Sequence, residues 1–165
     1  MDIVIRAAGA AEYEELGEIT ARAYLDDGLL DFNEDDSYLN VLRDVAGRAA
    51  CGEVLVADHD GTLLGGVTFA SHTSPLADIA GPGEAEFRML AVAREARGRG
   101  AGEALVRACV ARARALRGVT HLVLSTQRSM AGAHRIYERL GFTRTPERDW
   151  APIPGLTLLT YRLEL

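Results

Sequence analysis

Residues 94–102 read Arg-Glu-Ala-Arg-Gly-Arg-Gly-Ala-Gly, so glycines alternate with arginines just ahead of a helical stretch. Gly98, Gly100 and Gly102 carry no Cβ, and backbone at such positions can lie close against a bound group. The first N–H groups of the helix that follows have no intrahelical acceptor, and the helix dipole adds positive potential to them. Together they form an anion site suited to a pyrophosphate, with Arg94, Arg97 and Arg99 adding charge beside it. Other ligand readings of such a turn fit less well. A P-loop ends in Gly-Lys-Ser/Thr, and this chain has no lysine. A dinucleotide fingerprint opens an early βαβ unit and is followed by an acid about 20 residues on. Here the turn comes late, with no acid at that distance. A nucleic-acid binder would be basic, and the pI is about 5.2. What competes is a plain glycine-rich connection with solvated arginines.

The rest of the reactive inventory is thin. All 18 basic residues are arginine, which excludes Schiff-base and lysine-nucleophile chemistry. Cys51 and Cys109 give neither a disulfide framework nor metal spacing, and read as small buried hydrophobes in a reducing compartment. His59, His72, His121 and His134 show no ligand spacing, so no metal is implied. Tyr137 shares a short helical stretch with Ile136 and Leu140, and taken alone it reads as a core tyrosine.

The elements that must position these groups follow from periodicity and turn residues. Residues 3–5, 54–57, 63–70, 85–92, 121–125 and 156–163 read as strands. Residues 12–24, 38–50, 100–117 and 131–140 read as helices, the last two stopped by Gly118 and Gly141. Asp60-Gly61 between two apolar runs marks a hairpin. Residues 26–40 read as a loop dense in Asp and Glu, and residues 74–83 as a Pro/Gly loop. The order β-α-α-β-β-β-α-β-α-β implies an α/β fold, a mixed sheet flanked by helices.

At 165 residues the chain is expected to form one domain over 1–165. Its 48% hydrophobic and 25% charged residues are globular values and exclude disordered and fibrous classes. No apolar run approaches the ~20 residues of a membrane span, and the acidic N-terminus does not read as a secretory signal. A cytoplasmic protein is the expectation. Charge is uneven. Residues 1–83 hold 16 acids and 4 arginines, residues 84–165 hold 8 acids and 14 arginines. This suggests two partners of opposite sign, unless the halves intermix and cancel.

Two stretches carry a family resemblance. Val92 followed by Arg97-Gly98-Arg99-Gly100-Ala101-Gly102 resembles the acetyl-CoA motif Arg/Gln-x-x-Gly-x-Gly/Ala of the GNAT superfamily of N-acetyltransferases. Ala133-His134-Arg135-Ile136-Tyr137-Glu138-Arg139-Leu140-Gly141-Phe142 resembles its second motif, Ala-x-x-x-Tyr-x-x-x-Gly-Phe. Both stand in order and at family spacing, while the first half matches in element order only. The resemblance implies a largely antiparallel mixed sheet with a splayed central strand. It implies direct acetyl transfer from acetyl-CoA to an amine, with no acyl-enzyme.

The resemblance also distributes roles. Arg97, Gly98, Arg99, Gly100, Ala101 and Gly102 match the phosphate cradle. The strand segment Leu90, Ala91 and Val92 matches the one that lies along the donor, with N–H groups near Leu90 and Val92 for the thioester oxygen. Tyr137 matches the acid for the departing thiolate. Glu86 matches the base in some members, with Glu84 in the same strand parity and ordered water as alternatives. For either carboxylate, a plain solvent-facing role competes. The family often carries Asn seven residues before its Tyr, where this chain has Met130; Ser125, Thr126 and Ser129 are the nearby hydroxyls to replace it. The first two helices, their acidic loop and the late strand hairpin are expected to wall the acceptor site, with Trp150 either in that wall or in the core. The implied partners are acetyl-CoA, a small primary amine and, by family analogy, a second copy of the chain. A peptide or protein N-terminus is the alternative acceptor, and a non-catalytic acyl-CoA sensor the alternative function.

Overall fold

A computed structural model describes residues 2–30 and 36–165. Among these described residues, eight strands form one sheet: β1 Val4–Ala7, β2 Glu53–His59, β3 Thr62–Ser71, β4 Glu84–Val92, β5 His121–Gln127, β6 Thr143–Arg144, β7 Trp150–Ile153 and β8 Leu156–Glu164. The α-helices that cover it are α1 Tyr13–Asp26, α2 Tyr38–Arg43, α3 Val45–Cys51, α4 Ala101–Ala115 and α5 Ala131–Arg139. The spatial order is β1-β2-β3-β4-β5-β8-β6, with β7 pairing β8. Every pairing is antiparallel except β4 with β5, which the α4 crossover makes parallel.

Strand parity assigns the layers. Leu55 and Ala57 of β2 join the core beneath α4, while Val54 and Val56 pack with Leu16 of α1 and Val45 of α3. The α4 stripe is Ala101, Leu105, Val106, Cys109, Val110 and Ala113, all buried at helical spacing. In β3 every residue from Leu63 to Ala70 is buried, as a strand covered on both faces requires.

Two features of β4 shape the site. Its pairing with β5 covers only Glu84, Ala85 and Glu86, opposite His121, Leu122 and Val123. Beyond Glu86 the two strands part, β4 staying with β3 and β5 with β8. The second feature is a bulge. Thr68 pairs with Arg88 and Gly66 with Ala91, so Met89 and Leu90 together oppose Val67, and Met89 takes φ 55°. The extra residue flips the parity of the strand. Phe87 faces the α4 core, yet Met89 packs with Ala21, Leu39 and Leu42 on the opposite face, and Leu90 and Val92 return to the α4 side.

Three sequence expectations change. The helix expected over 38–50 is two, α2 and α3, broken at Asp44, whose carboxylate accepts the Gly47 N–H at 3.0 Å and caps α3. Strands β6 and β7 were not expected, being two and four residues long, the second containing Pro152. Cys109 is buried as expected, but Cys51 is exposed at the end of α3. The charged halves do intermix in part: Arg97 pairs with Asp27 at 3.0 Å and Arg112 with Glu53 at 2.7 Å.

Candidate active site

The parting of β4 from β5 leaves backbone N–H groups on an unpaired edge. Ala93 N–H donates to Leu64 O at 2.8 Å, toward β3. Alternation along the strand therefore turns the Val92 N–H to the β5 side, into the splay. Ala91 faces β3, and its carbonyl lies so near Gly65 that a Cβ there would collide with it. The Leu90 and Val92 side chains pack into the α4 core, so these positions offer the splay backbone alone.

At the far end of β4 the chain enters the glycine-arginine turn. Gly98 and Gly100 have φ 80° and 88°, a left-handed conformation that suits glycine. Gly100 caps α4, and a Cβ on either residue would meet no described atom within 4 Å. The space over the α4 N-terminus is therefore open to a ligand. Arg97, Gly98, Arg99 and Gly100 are exposed, while Ala101 and Gly102 are buried. Gly102 packs under Ile136 of α5 and Val92, 3.2 and 3.6 Å from where its Cβ would stand. Arg97 already holds both oxygens of Asp27, at 3.0 and 3.2 Å.

A cavity of about 530 Å³ lies on the α1–α2 side of the splay. The end of α1, α2, β4, β5 and the β7–β8 hairpin all contribute walls, including Tyr24, Tyr38, Met89, Trp150 and Leu158. Trp150 belongs to this wall and donates its Nε1–H to Ser125 Oγ at 2.9 Å. Ser125, Thr126 and Met130 also line it. Thr126 Oγ1 is spent close by, on Met130 Sδ at 3.6 Å and His134 Nε2 at 3.2 Å. Of the acidic loop, Asp26 ends α1, Asp27 is paired with Arg97, and Asp36 lines the cavity. Asp31, Glu34 and Asp35 lie outside the described residues.

Glu86 lines the same cavity and is fully buried. Its Oε1 accepts three consecutive backbone N–H groups, from Asp78 at 3.1 Å and from Ile79 and Ala80 at 2.9 Å. Its Oε2 has no partner among the described residues. Burial pushes this carboxyl above the ordinary carboxylate range, and the three amides only reduce the rise. The family resemblance pointed to Glu86 but not to the loop amides that hold it. Glu84 is differently placed. Arg148 grips both its oxygens at 2.8 Å and Gly81 N–H donates to it at 2.9 Å. Despite partial burial, those partners lower its pKa. It is a member of an ion pair with Arg148.

Tyr137 stands on the α4 side of the sheet. Its ring packs among Tyr161, Phe87 and Phe142, with centroids 5.5, 5.9 and 5.9 Å away. It is 3% exposed, and burial, then nearby Tyr24, Cys109 and Tyr161, push its pKa well above the ordinary tyrosine value. The hydroxyl therefore stays protonated across the neutral range.

A profile of the Acetyltransferase (GNAT) family matches residues 13–142. Solved structures share the whole fold. Ribosomal-protein-alanine N-acetyltransferase from Brucella melitensis is 24% identical, with 98% of this chain and 99% of that chain covered and a TM-score of 0.72. The Salmonella typhimurium protein yncA, solved with its cofactor acetyl-CoA, is 21% identical over 100% and 95% of the two chains, TM-score 0.70. The paia N-acetyltransferase from Thermoplasma acidophilum, in complex with coenzyme A, is 18% identical over 100% of both, TM-score 0.75. No curated protein matches the sequence significantly. With the family profile spanning most of the chain, its splayed sheet and its glycine-capped helix, the protein belongs to the GNAT acetyltransferase family and is an N-acetyltransferase that uses acetyl-CoA as its donor.

Proposed function

We propose that the chain acetylates a primary amine on a small molecule, with Glu86 as base and Tyr137 as acid. The observation that carries this reading is the Glu86 Oε2 atom: buried, without a partner among the described residues, on a residue that lines the 530 Å³ cavity. A carboxylate left half-satisfied in a core is costly unless a ligand or water completes it.

The chemistry needs four contributions from this chain. Arg97, Gly98, Arg99, Gly100, Ala101 and Gly102 hold the donor's phosphates at the α4 N-terminus. The Leu90 and Val92 N–H groups stabilise the thioester oxygen as negative charge grows on it. Removing one such donor typically costs about 3–4 kcal/mol. An ammonium acceptor has no lone pair, so Glu86 first takes its proton, directly or through one water; the raised pKa brings this carboxylate nearer neutrality and makes it a better base. The amine nitrogen then bonds to the acetyl carbon, the carbon–sulfur bond breaks, the Tyr137 hydroxyl gives its proton to the departing thiolate, and the second proton that the nitrogen sheds on becoming an amide passes through solvent to restore the Tyr137 hydroxyl.

Thiol release from acetyl-CoA, measured over a panel of small amines and a peptide with a free N-terminus, tests the reading. Turnover of small amines that falls sharply in Glu86→Gln supports it. Turnover of the peptide alone makes the protein-acetylating alternative correct. Tight acetyl-CoA binding with no turnover on any amine makes the chain a sensor.

A further inference from the structure

We infer that Arg48 is a positioning residue for the acceptor: its guanidinium holds α2, and with it Tyr38 and Val41, as one wall of the cavity taken above as the small-amine site. Arg48 lies on α3, behind that wall. It is 5% exposed and is not one of the residues that line the cavity. Its Nη1 donates to Val41 O at 2.8 Å and its Nη2 to Leu42 O at 3.0 Å. Val41 itself lines the cavity and is 47% exposed. A residue that meets the acceptor is thus held from behind through its own carbonyl.

The need for such a grip follows from the length of α2. It has six residues, far short of the ~12–15 at which a helix begins to hold itself in water. The carbonyls of its last turn lack intrahelical donors, and a cation there also complements the helix dipole. Contacts from outside must therefore fix it. At its start Asp36 Oδ1 accepts the Tyr38 N–H at 2.9 Å. At its end the Arg43 carbonyl lies so near α1 that a Cβ on Gly17 would stand 2.7 Å from it, and Arg48 supplies the two donors. Arg48 does so at a cost. It forms no ion pair among the described residues, its buried Nε has no partner there, and burial lowers its pKa. A methionine of similar length would fill the space without a buried charge, so stability alone does not call for arginine here. What arginine adds is two donors in a fixed fork.

Arg48→Met and Arg48→Lys test this. Steady-state thiol release is measured with 2-phenylethylamine, n-hexylamine, ethanolamine and 1,6-hexanediamine, and amide hydrogen exchange over residues 38–43 reports on α2 directly. In Arg48→Met the urea midpoint is expected to move little, while exchange over α2 speeds up. KM should rise ~10-fold or more for each amine that the wild type acetylates, with KM for acetyl-CoA unchanged. Arg48→Lys, which keeps the charge but not the fork, should fall between the two. Faster exchange with an unchanged amine KM makes Arg48 a structural residue only and overturns the inference, as does an equal rise in both KM values. Should Arg48→Met not fold, Arg48→Lys decides alone, and a wild-type amine KM in it overturns the inference while leaving acetyl transfer to small amines standing. No wild-type turnover of any of the four, with acetyl-CoA still bound, removes the small-amine reading and the inference that rests on it.

Discussion

Arg148 and Glu84 meet in a two-pronged ion pair, both contacts 2.8 Å, and the same guanidinium also donates to the Ile79 carbonyl at 2.8 Å. Arg148 lies in the turn leading into β7, Glu84 opens β4, and Ile79 sits in the loop whose amides cradle Glu86. One side chain thus ties the cavity hairpin to the loop that holds Glu86. Bidentate geometry makes such a link directional as well as strong.

Arg148→Ala should therefore do more than lower stability. The loss is expected to be about 1–3 kcal/mol, the usual scale for hydrogen bonds to charged groups, read from a urea midpoint. The loosened loop should donate less well to Glu86, whose pKa then rises further, and the acid limb of the kcat profile should move to higher pH. Arg148→Lys, which keeps the charge but not the fork, should recover only part of this. An unmoved acid limb would reduce Arg148 to a purely structural contact.

Glu86→Gln should lower kcat by ~10²-fold or more while acetyl-CoA binding holds. The wild-type rate should fall as pH drops through the raised pKa of Glu86, a limb lying above the ordinary carboxylate range. Stability has the opposite sense. A carboxyl whose pKa is raised by folding stabilises most below its unfolded pKa, and that contribution is lost as pH rises through the folded value. The stability difference between wild type and Glu86→Gln, measured by denaturation at several pH values, should therefore move against the wild type with rising pH. A constant difference would contradict the burial of an ionising carboxyl here.

Tyr137→Phe separates catalysis from packing. The ring contacts with Phe87, Phe142 and Tyr161 survive the change, so the melting temperature should barely move. The loss of the hydroxyl should cut kcat by ~10²–10⁴. Because burial raises its pKa, Tyr137 should produce no alkaline limb at or below its ordinary value of about 10. Full activity in the variant would make Tyr137 a core residue only.

Gly100 divides into two tests. At φ 88° any other residue is strained, at roughly 1–2 kcal/mol, but a Cβ would touch nothing among the described residues. Gly100→Ala should thus weaken acetyl-CoA binding modestly. Gly100→Asp places a negative charge over the α4 N-terminus and should abolish binding in calorimetry. Retained binding in the Asp variant would put the phosphates elsewhere.

The glycine-arginine turn and the helix it opens were legible from residue order because they are local. Gly98 and Gly100 adopt the left-handed turn that only their neighbours in the chain define, and Ala101, Leu105, Cys109 and Ala113 recur at the period of one helix face. Tyr137 and Glu86 were legible as candidates through the family resemblance alone. The break at Asp44 was missed because apolar periodicity runs through it, and an Asp in mid-pattern signals a cap only once the backbone departs from helix. Short strands such as β6 carry too few residues for any pattern to show.

Residue order is enough for the main strands, the helices α4 and α5 and the glycine-arginine turn, since each depends on contacts within a few residues. What surrounds them comes only with the packing of distant segments. The bulge at Met89 sets which β4 side chains reach the cavity, by shifting strand parity between Arg88 and Leu90. Arg148 reaches across 64 positions to claim Glu84, while amides from residues 78–80 claim one oxygen of Glu86 and leave the other without a partner among the described residues. Two carboxylates of the same strand parity thus acquire opposite pKa shifts, because a carboxylate's pKa is set by the donors and the solvent around it, and those arrive only when the chain has folded.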